Sequence, residues 1–111
     1  MFRVGQGLFG RIRFADGEYP KYDRTYLVVD VTDDKVGVLN ISSVTGKADR
    51  LLYPSNRYIN KHLPPFKKRS FVKLDSLVSV PVGELSDVLI LSNGDLLDYV
   101  ELKSIINQIM K

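Results

Sequence analysis

The chain of 111 residues has no cysteine and a single histidine, His62. The first absence excludes disulfides, thiolate metal ligands and a cysteine nucleophile. The second excludes a histidine-pair acid–base mechanism within one chain, and it argues against a histidine-rich zinc site. No apolar run approaches the ~20 residues that a membrane helix needs. No long apolar segment follows the charge in Met1-Phe2-Arg3-Val4-Gly5, so no signal peptide is expected. These absences predict a cytoplasmic protein with no membrane partner. Internal repeats, low-complexity segments and linkers are also missing, which predicts one domain over residues 1–111. No Gly-x-Ser-x-Gly elbow supports a serine nucleophile. Gly5, Gly7 and Gly10 do not lie between a strand and a helix, so they form no dinucleotide fingerprint.

What is present is an ordinary globular composition, 44% apolar and 26% charged, on a chain long enough for one modest core. The charge is unevenly spread. Arg50, Arg57, Lys61, Lys67, Lys68, Arg69 and Lys73 fall in one stretch without an acid, giving it +7. The net charge is +3, so the remainder carries −4. From Leu74 to Leu102 the sign reverses, with Asp75, Glu84, Asp87, Asp95, Asp98 and Glu101 and no base. A local field of one sign matters more for partner choice than the net value.

Hydrophobic periodicity predicts mostly strands. Gly7 to Phe14 alternates so that Ile12 and Phe14 face inward and Arg11 and Arg13 outward. Ala15 to Asp23 is a long charged loop, of a kind that often carries function. Arg24 to Val31 is dense in β-branched residues and suits a central strand. After a turn at Asp33-Asp34, Lys35 to Ser42 is its partner. A short strand is expected over Asp49 to Tyr53, an irregular segment over Pro54 to Pro65, and strands over Ser70 to Val80 and Val88 to Leu91. Ser92 and Asp95 have the spacing of a capping box. Leu96 to Met110 has no breaker, and Leu96, Tyr99, Leu102, Ile106 and Ile109 recur at helical spacing, predicting a C-terminal helix of about 13–16 residues. Five or six short strands and one helix suit a small barrel or rolled sheet with a helix packed on it.

Several residues could carry chemistry. In the basic stretch, Tyr53, Tyr58, Phe66 and Phe71 interleave with the cations, a pattern that suits phosphates and unpaired bases. Phe71 sits in a strand pattern and is expected in the core. Arg24 stands where the long loop meets a strand, so its guanidinium is held more firmly than one on a loop tip. The residues alone leave it open between a phosphate ligand and a surface pair with Asp23 or Glu18. Asn40-Ile41-Ser42-Ser43 ends a strand, and its amide and hydroxyls suit a phosphate or a strand cap equally. Lys73 and Asp75 share one strand face. His62 reads as an exposed polar residue of a basic segment.

In their order along the chain, these pieces resemble the MazF/PemK family of toxin ribonucleases from prokaryotic toxin–antitoxin modules. The opening strand begins at a glycine, Gly7. The charged loop ends in a basic residue and an apolar strand, Lys21-Tyr22-Asp23-Arg24-Thr25-Tyr26-Leu27-Val28-Val29. The next strand ends in Ile41-Ser42-Ser43, where the family has Leu-Thr-Ser. Ser70-Phe71-Val72-Lys73-Leu74-Asp75-Ser76-Leu77 resembles the family's Ser-Val-Val-Arg-Leu-Asp-x-Leu and is the most specific match. Leu91-Ser92-Asn93-Gly94-Asp95-Leu96 leads into the terminal helix. The chain departs from the pattern at Thr25, where the family has proline, at Leu8, where it has aspartate, and over Tyr53 to Lys68.

The resemblance implies a small SH3-like β-barrel with a C-terminal α-helix, a homodimer and an antitoxin partner. It also implies metal-independent cleavage of single-stranded RNA with no cofactor. In that reading Arg24 and Ser42 are catalytic, stabilising the charge of a phosphorane formed by attack of the 2′-hydroxyl. Lys21, Arg69, Lys73 and Asp75 belong to the RNA-binding surface. Glu18, Asp75 and His62 are the candidates for moving protons. The alternative is a barrel of the same kind that binds RNA or a protein without cutting.

Overall fold

In the computed structural model, which describes residues 1–110, two adjacent runs are buried almost without a break, Tyr26 to Val29 and Val36 to Ile41. A strand covered on both faces has no polar side to alternate with, so such continuous apolar runs mark the centre of a sheet. These runs lie in β2 (Arg24–Val31) and β3 (Lys35–Ser43). Around them stand β1 (Gly7–Gly10), β4 (Asn56–Ile59), β5 (Ser70–Pro81) and β6 (Leu89–Ile90), and the chain closes with helix α1 (Tyr99–Ile109). All pairings are antiparallel, in the order β4-β5-β3-β2-β1-β6. The fold is therefore mainly β, a small barrel-like sheet with one C-terminal helix, in agreement with the sequence. Among the described residues no helix is long and apolar enough to cross a membrane.

Each face of the sheet carries its own apolar cluster. On one face Leu27, Leu39, Ile41 and Val72 pack against Leu102 and Ile105 of α1. On the other, Tyr26, Val28, Val38 and Val80 pack under Ile12 and Leu85. The second cluster covers only part of its face, and the uncovered end holds the candidate site described below.

Four expectations are corrected. The first strand stops at Gly10 rather than Phe14. Ile12 is buried, as its alternation demands, but its backbone amide and carbonyl both meet the Tyr26 hydroxyl at 3.3 Å in place of a ladder partner. Phe14 is 38% exposed and turns away from the core. The expected strand at Asp49 to Tyr53 is a 3-10 turn over Ala48–Leu52, closed by bonds from Arg50 N to Lys47 O and from Tyr53 N to Arg50 O. The segment expected to be irregular contains β4. Asn56, Arg57 and Tyr58 show no alternation, and they are extended because they pair with the first residues of β5.

The helix, finally, begins at Tyr99 and spans 11 residues. Its cap is Asp98, whose carboxylate accepts from Val100 N at 3.1 Å and Glu101 N at 3.2 Å. Ser92 makes no cap, because its hydroxyl donates to Pro65 O at 2.9 Å. The helix is tied to β4 through Glu101, a buried carboxylate that accepts from Asn60 N at 2.7 Å and from the Arg57 guanidinium at 3.4 Å. Gly5 joins the N-terminal segment to both layers, since its amide donates to Val28 O and its carbonyl accepts from Leu97 N. Its φ of +101° strains any other residue there, and Leu96 and Leu102 would have to yield to a side chain.

Candidate nucleic-acid interface

The uncovered end of the second face is a pocket of about 360 Å³. β2 contributes Arg24 and Tyr26, β3 contributes Asn40, and β5 contributes Lys73, Asp75 and Ser76. The long loop after β1 supplies Arg13 to Ala15 as a rim. Antiparallel registry explains the gathering, since Tyr26 pairs with Asn40 and Asn40 with Lys73. Residues paired across strands point to the same face, and Arg24 lies two places from Tyr26 on that face.

A bulge shapes the far wall. Between the pairs Val38–Val78 and Asn40–Lys73, Leu39 alone faces the four residues Leu74 to Leu77. The extra chain swings Asp75 and Ser76 out over the pocket, a usual consequence of such insertions. Ser76 holds the distortion in place. Its Oγ accepts from Asn40 N at 2.8 Å and donates to Lys73 O at 2.6 Å, replacing ladder bonds that the bulge removes.

Arg24 is the centre of the site. Its Nε is buried and has no acceptor among the described residues. The surface pair left open by the sequence does not form, because Asp23 lies instead 3.7 Å from Arg11 Nε. The guanidinium sits 5.9 Å from the centre of the Phe14 ring, which fixes its plane on one side. A buried guanidinium donor with no acceptor costs stability unless a ligand completes it.

Lys73 feels the same field. Its ammonium is held below the ordinary lysine value, first by burial and then by the charges of Arg24, Lys47 and Arg50, while Asp75 opposes the shift. Four cations thus share this end of the sheet with one carboxylate. Tyr26 is pushed above its ordinary value by burial, which keeps its hydroxyl neutral as the strut beneath Ile12.

Of the residues chosen from the sequence, Arg24, Lys73 and Asp75 come together in the pocket. Ser42 does not line it. It lies two places beyond Asn40 on the same face of β3, and its Oγ accepts from Lys47 Nζ at 3.1 Å. That bond leaves the Ser42 hydrogen free to donate. Lys21 and Arg69 are exposed and stand away from the pocket lining. Glu18 is exposed in the loop, and His62 lies elsewhere, its Nδ1–H donating to Phe66 O at 2.8 Å. Among the described residues no three His, Asp or Glu side chains gather as a metal site would require.

The sequence reading missed Phe14, Lys47 and Ser76. Phe14 was assigned to the core by its alternation, and Lys47 and Ser76 carry no local signal of their roles. The basic stretch also needs correction as a single surface. Arg57 is paired with Glu101, and Lys61 lies 3.9 Å from Asp98. Phe71 is in the core as expected, and Phe66 joins it there, so neither has a face left for stacking. In comparisons with known proteins, no family model matches the chain and no curated protein matches it.

Proposed function

We propose that the chain is a metal-independent endoribonuclease of the MazF/PemK kind, the toxin of a toxin–antitoxin module, which cuts single-stranded RNA at the Arg24 pocket. The observation that carries this reading is the buried Arg24 Nε, without an acceptor among the described residues, in a pocket that Lys73 and Asp75 also line. A phosphate is the natural acceptor for a guanidinium fork in a field of this sign.

In this reading the 2′-hydroxyl attacks the adjacent phosphorus, the 2′-oxygen–phosphorus bond forms, and the bond to the 5′-oxygen breaks. Arg24 and the Ser42 hydroxyl donate to the phosphorane oxygens, whose charge exceeds that of the ground state. The proton of the 2′-hydroxyl goes to Asp75, which lines the same pocket as Arg24, as Glu18 and His62 do not. The leaving 5′-oxygen takes a proton from Lys73, whose lowered pKa makes it a better acid than an exposed lysine. Lys47 and Arg50 hold flanking phosphates. A homodimer and an acidic antitoxin segment laid over the cations belong to the same proposal.

Purified protein mixed with single-stranded RNA in EDTA is expected to release fragments with cyclic phosphate ends. Arg24→Ala is expected to abolish cutting with an unchanged circular dichroism spectrum. Equal cutting by that variant would remove Arg24 from the reaction.

A second reading, a barrel that binds RNA without cutting, draws on Leu8. This residue occupies the place of the family's aspartate and is wholly buried, so it offers the reaction no carboxylate. Saturable binding of RNA with no cleavage across varied sequences would favour it.

A further inference from the structure

Lys73 and Asn40 carry chemistry that RNA cutting does not exhaust. They are partners across β5 and β3, so their side chains leave the sheet on one face, that of Arg24. Lys73 is half-buried, and no carboxylate lies within ion-pair distance of it among the described residues. Burial and the charges of Arg24, Lys47 and Arg50 all favour its uncharged form. Only the uncharged amine is a nucleophile, so Lys73 presents more of the attacking form than an exposed lysine does.

Asn40 is buried, yet no described residue bonds its side-chain amide, which lines the pocket. Its backbone N–H is the part that Ser76 engages. Three unmatched polar groups therefore meet in a cavity of about 360 Å³: the Arg24 guanidinium, the Lys73 amine and the Asn40 amide. Ile12, Phe14, Leu77 and Val78 give the same cavity apolar walls. That volume is at the small end of ligand sites. The combination suits a small molecule with a phosphate at one end, an apolar group at the other and a carbonyl between them.

We propose that Lys73 is a site of self-acylation by a small acyl phosphate held in this pocket. Arg24 takes the phosphate, whose oxygens match its guanidinium fork. The free amine of Lys73 attacks the acyl carbon. As the N–C bond forms, charge builds on the carbonyl oxygen, and Asn40 Nδ2 donates a hydrogen bond to it. The bond from the acyl carbon to the phosphate oxygen then breaks, and the amine proton passes to the departing phosphate. The products are an N-acyl-lysine and inorganic phosphate. The new amide is uncharged, so the acylated chain loses a cation and the acid proton assigned to Lys73 in RNA cutting. That consequence rests on the ribonuclease reading. The acylation itself needs only phosphate recognition at Arg24.

The test uses the whole protein with no RNA present, acetyl phosphate as the probe, and peptide mass spectrometry to follow each lysine. Lys73 is expected to be acetylated about tenfold or more faster than the exposed Lys67 and Lys68. Inorganic phosphate is expected to slow Lys73 and to leave Lys67 and Lys68 unchanged. A second reagent, p-nitrophenyl acetate, has no phosphate and reports the reactivity of the amine alone. Arg24→Met is expected to lower the Lys73 rate with acetyl phosphate about tenfold relative to its rate with p-nitrophenyl acetate, a ratio that cancels any change in the amine's own pKa. Asn40→Ala is expected to slow Lys73 with both reagents, because both build charge on a carbonyl oxygen. Equal labelling of Lys73, Lys67 and Lys68 would overturn the proposal. So would a Lys73 rate that neither inorganic phosphate nor Arg24→Met changes. Labelling without RNA and cutting of RNA are separate readouts, so a chain that is acylated at Lys73 but cuts nothing would sink the ribonuclease reading alone.

Discussion

Arg24 holds a buried donor that no other described residue matches, and it does so where the long loop enters β2. Its neighbours explain why the gap persists. Asp23 is drawn to Arg11, Phe14 occupies one side of the guanidinium, and Asp75 is carried by the bulge to the mouth of the pocket. A residue kept for a ligand lowers the stability of the free protein. Arg24→Met removes the unmatched donor while keeping the apolar stem, so it is expected to raise unfolding stability by about 1–2 kcal/mol. Urea denaturation of the two proteins measures this, and a loss of similar size would mean that Arg24 has a partner within the fold.

Lys73 offers a second probe at the residue scale. Its folded pKa lies below 10.5, mainly through burial and in part through Arg24, Lys47 and Arg50. Because the folded value is the lower one, the protonated ammonium opposes folding below that value. This penalty is relieved as pH rises through the folded value towards 10.5. Tyr26 has the opposite sign in the alkaline range, since its raised pKa means that stability is lost as pH rises above 10.0. Thermal melts would mix the two, so the lysine is better followed by NMR of its ε-carbon. Lys73 is expected to titrate before the exposed lysines. Arg24→Met is expected to move its midpoint only part of the way back, because burial remains. An unmoved midpoint would place the two cations out of each other's field.

At the scale of elements, the site depends on one irregular strand. Ser76 keeps the β5 bulge in register by serving both Asn40 N and Lys73 O. Ser76→Ala is expected to cost about 1–3 kcal/mol by leaving the Asn40 amide unmatched. It is also expected to lower RNA cutting more than RNA binding, since it loosens the wall that carries Asp75. Unfolding curves and single-turnover cleavage report the two effects, and an unchanged cutting rate would show that the bulge has no part in the reaction.

The same strand shows what could be read in advance. β2 and β3 were legible because burial on both faces leaves apolar residues too dense for another reading, and β5 because its β-branched and aromatic residues run unbroken by turn signals. The bulge within β5 was not, because Leu74 to Leu77 continue the strand's composition and only pairing with β3 exposes the extra residues. β4 escaped notice because its extended shape comes from its partner rather than from its own residues. The helix start was misplaced because Ser92 and Asp95 matched a cap in spacing, while the Ser92 hydroxyl was committed to Pro65.

For the molecule as a whole, charge distribution along the chain differs from charge distribution in space. The basic stretch of +7 reads as one surface in sequence. Folding sends Arg57 and Lys61 to the helix acids, Lys73 to the pocket and Lys67 and Lys68 to the opposite face. Lys47, outside the stretch, bonds Ser42 at the end of β3 and adds its charge to the field at Lys73. With Arg24, Lys47, Arg50 and Lys73 meeting phosphates, the logarithm of RNA affinity is expected to fall against the logarithm of salt with a slope of about −3. A slope of about −5 or steeper would mean that the whole stretch engages RNA. Arg24 could be chosen from the sequence because it lies where a loop meets a central strand. Its missing partner could not, because that depends on Asp23 turning to Arg11.

The most direct test of the account is cleavage of single-stranded RNA in EDTA by the unaltered protein and by Arg24→Met, with both shown to be folded. The account expects the first to leave cyclic phosphate ends and the second, though at least as stable, to leave the RNA whole. Intact RNA with both proteins, or equal cutting by both, would contradict it.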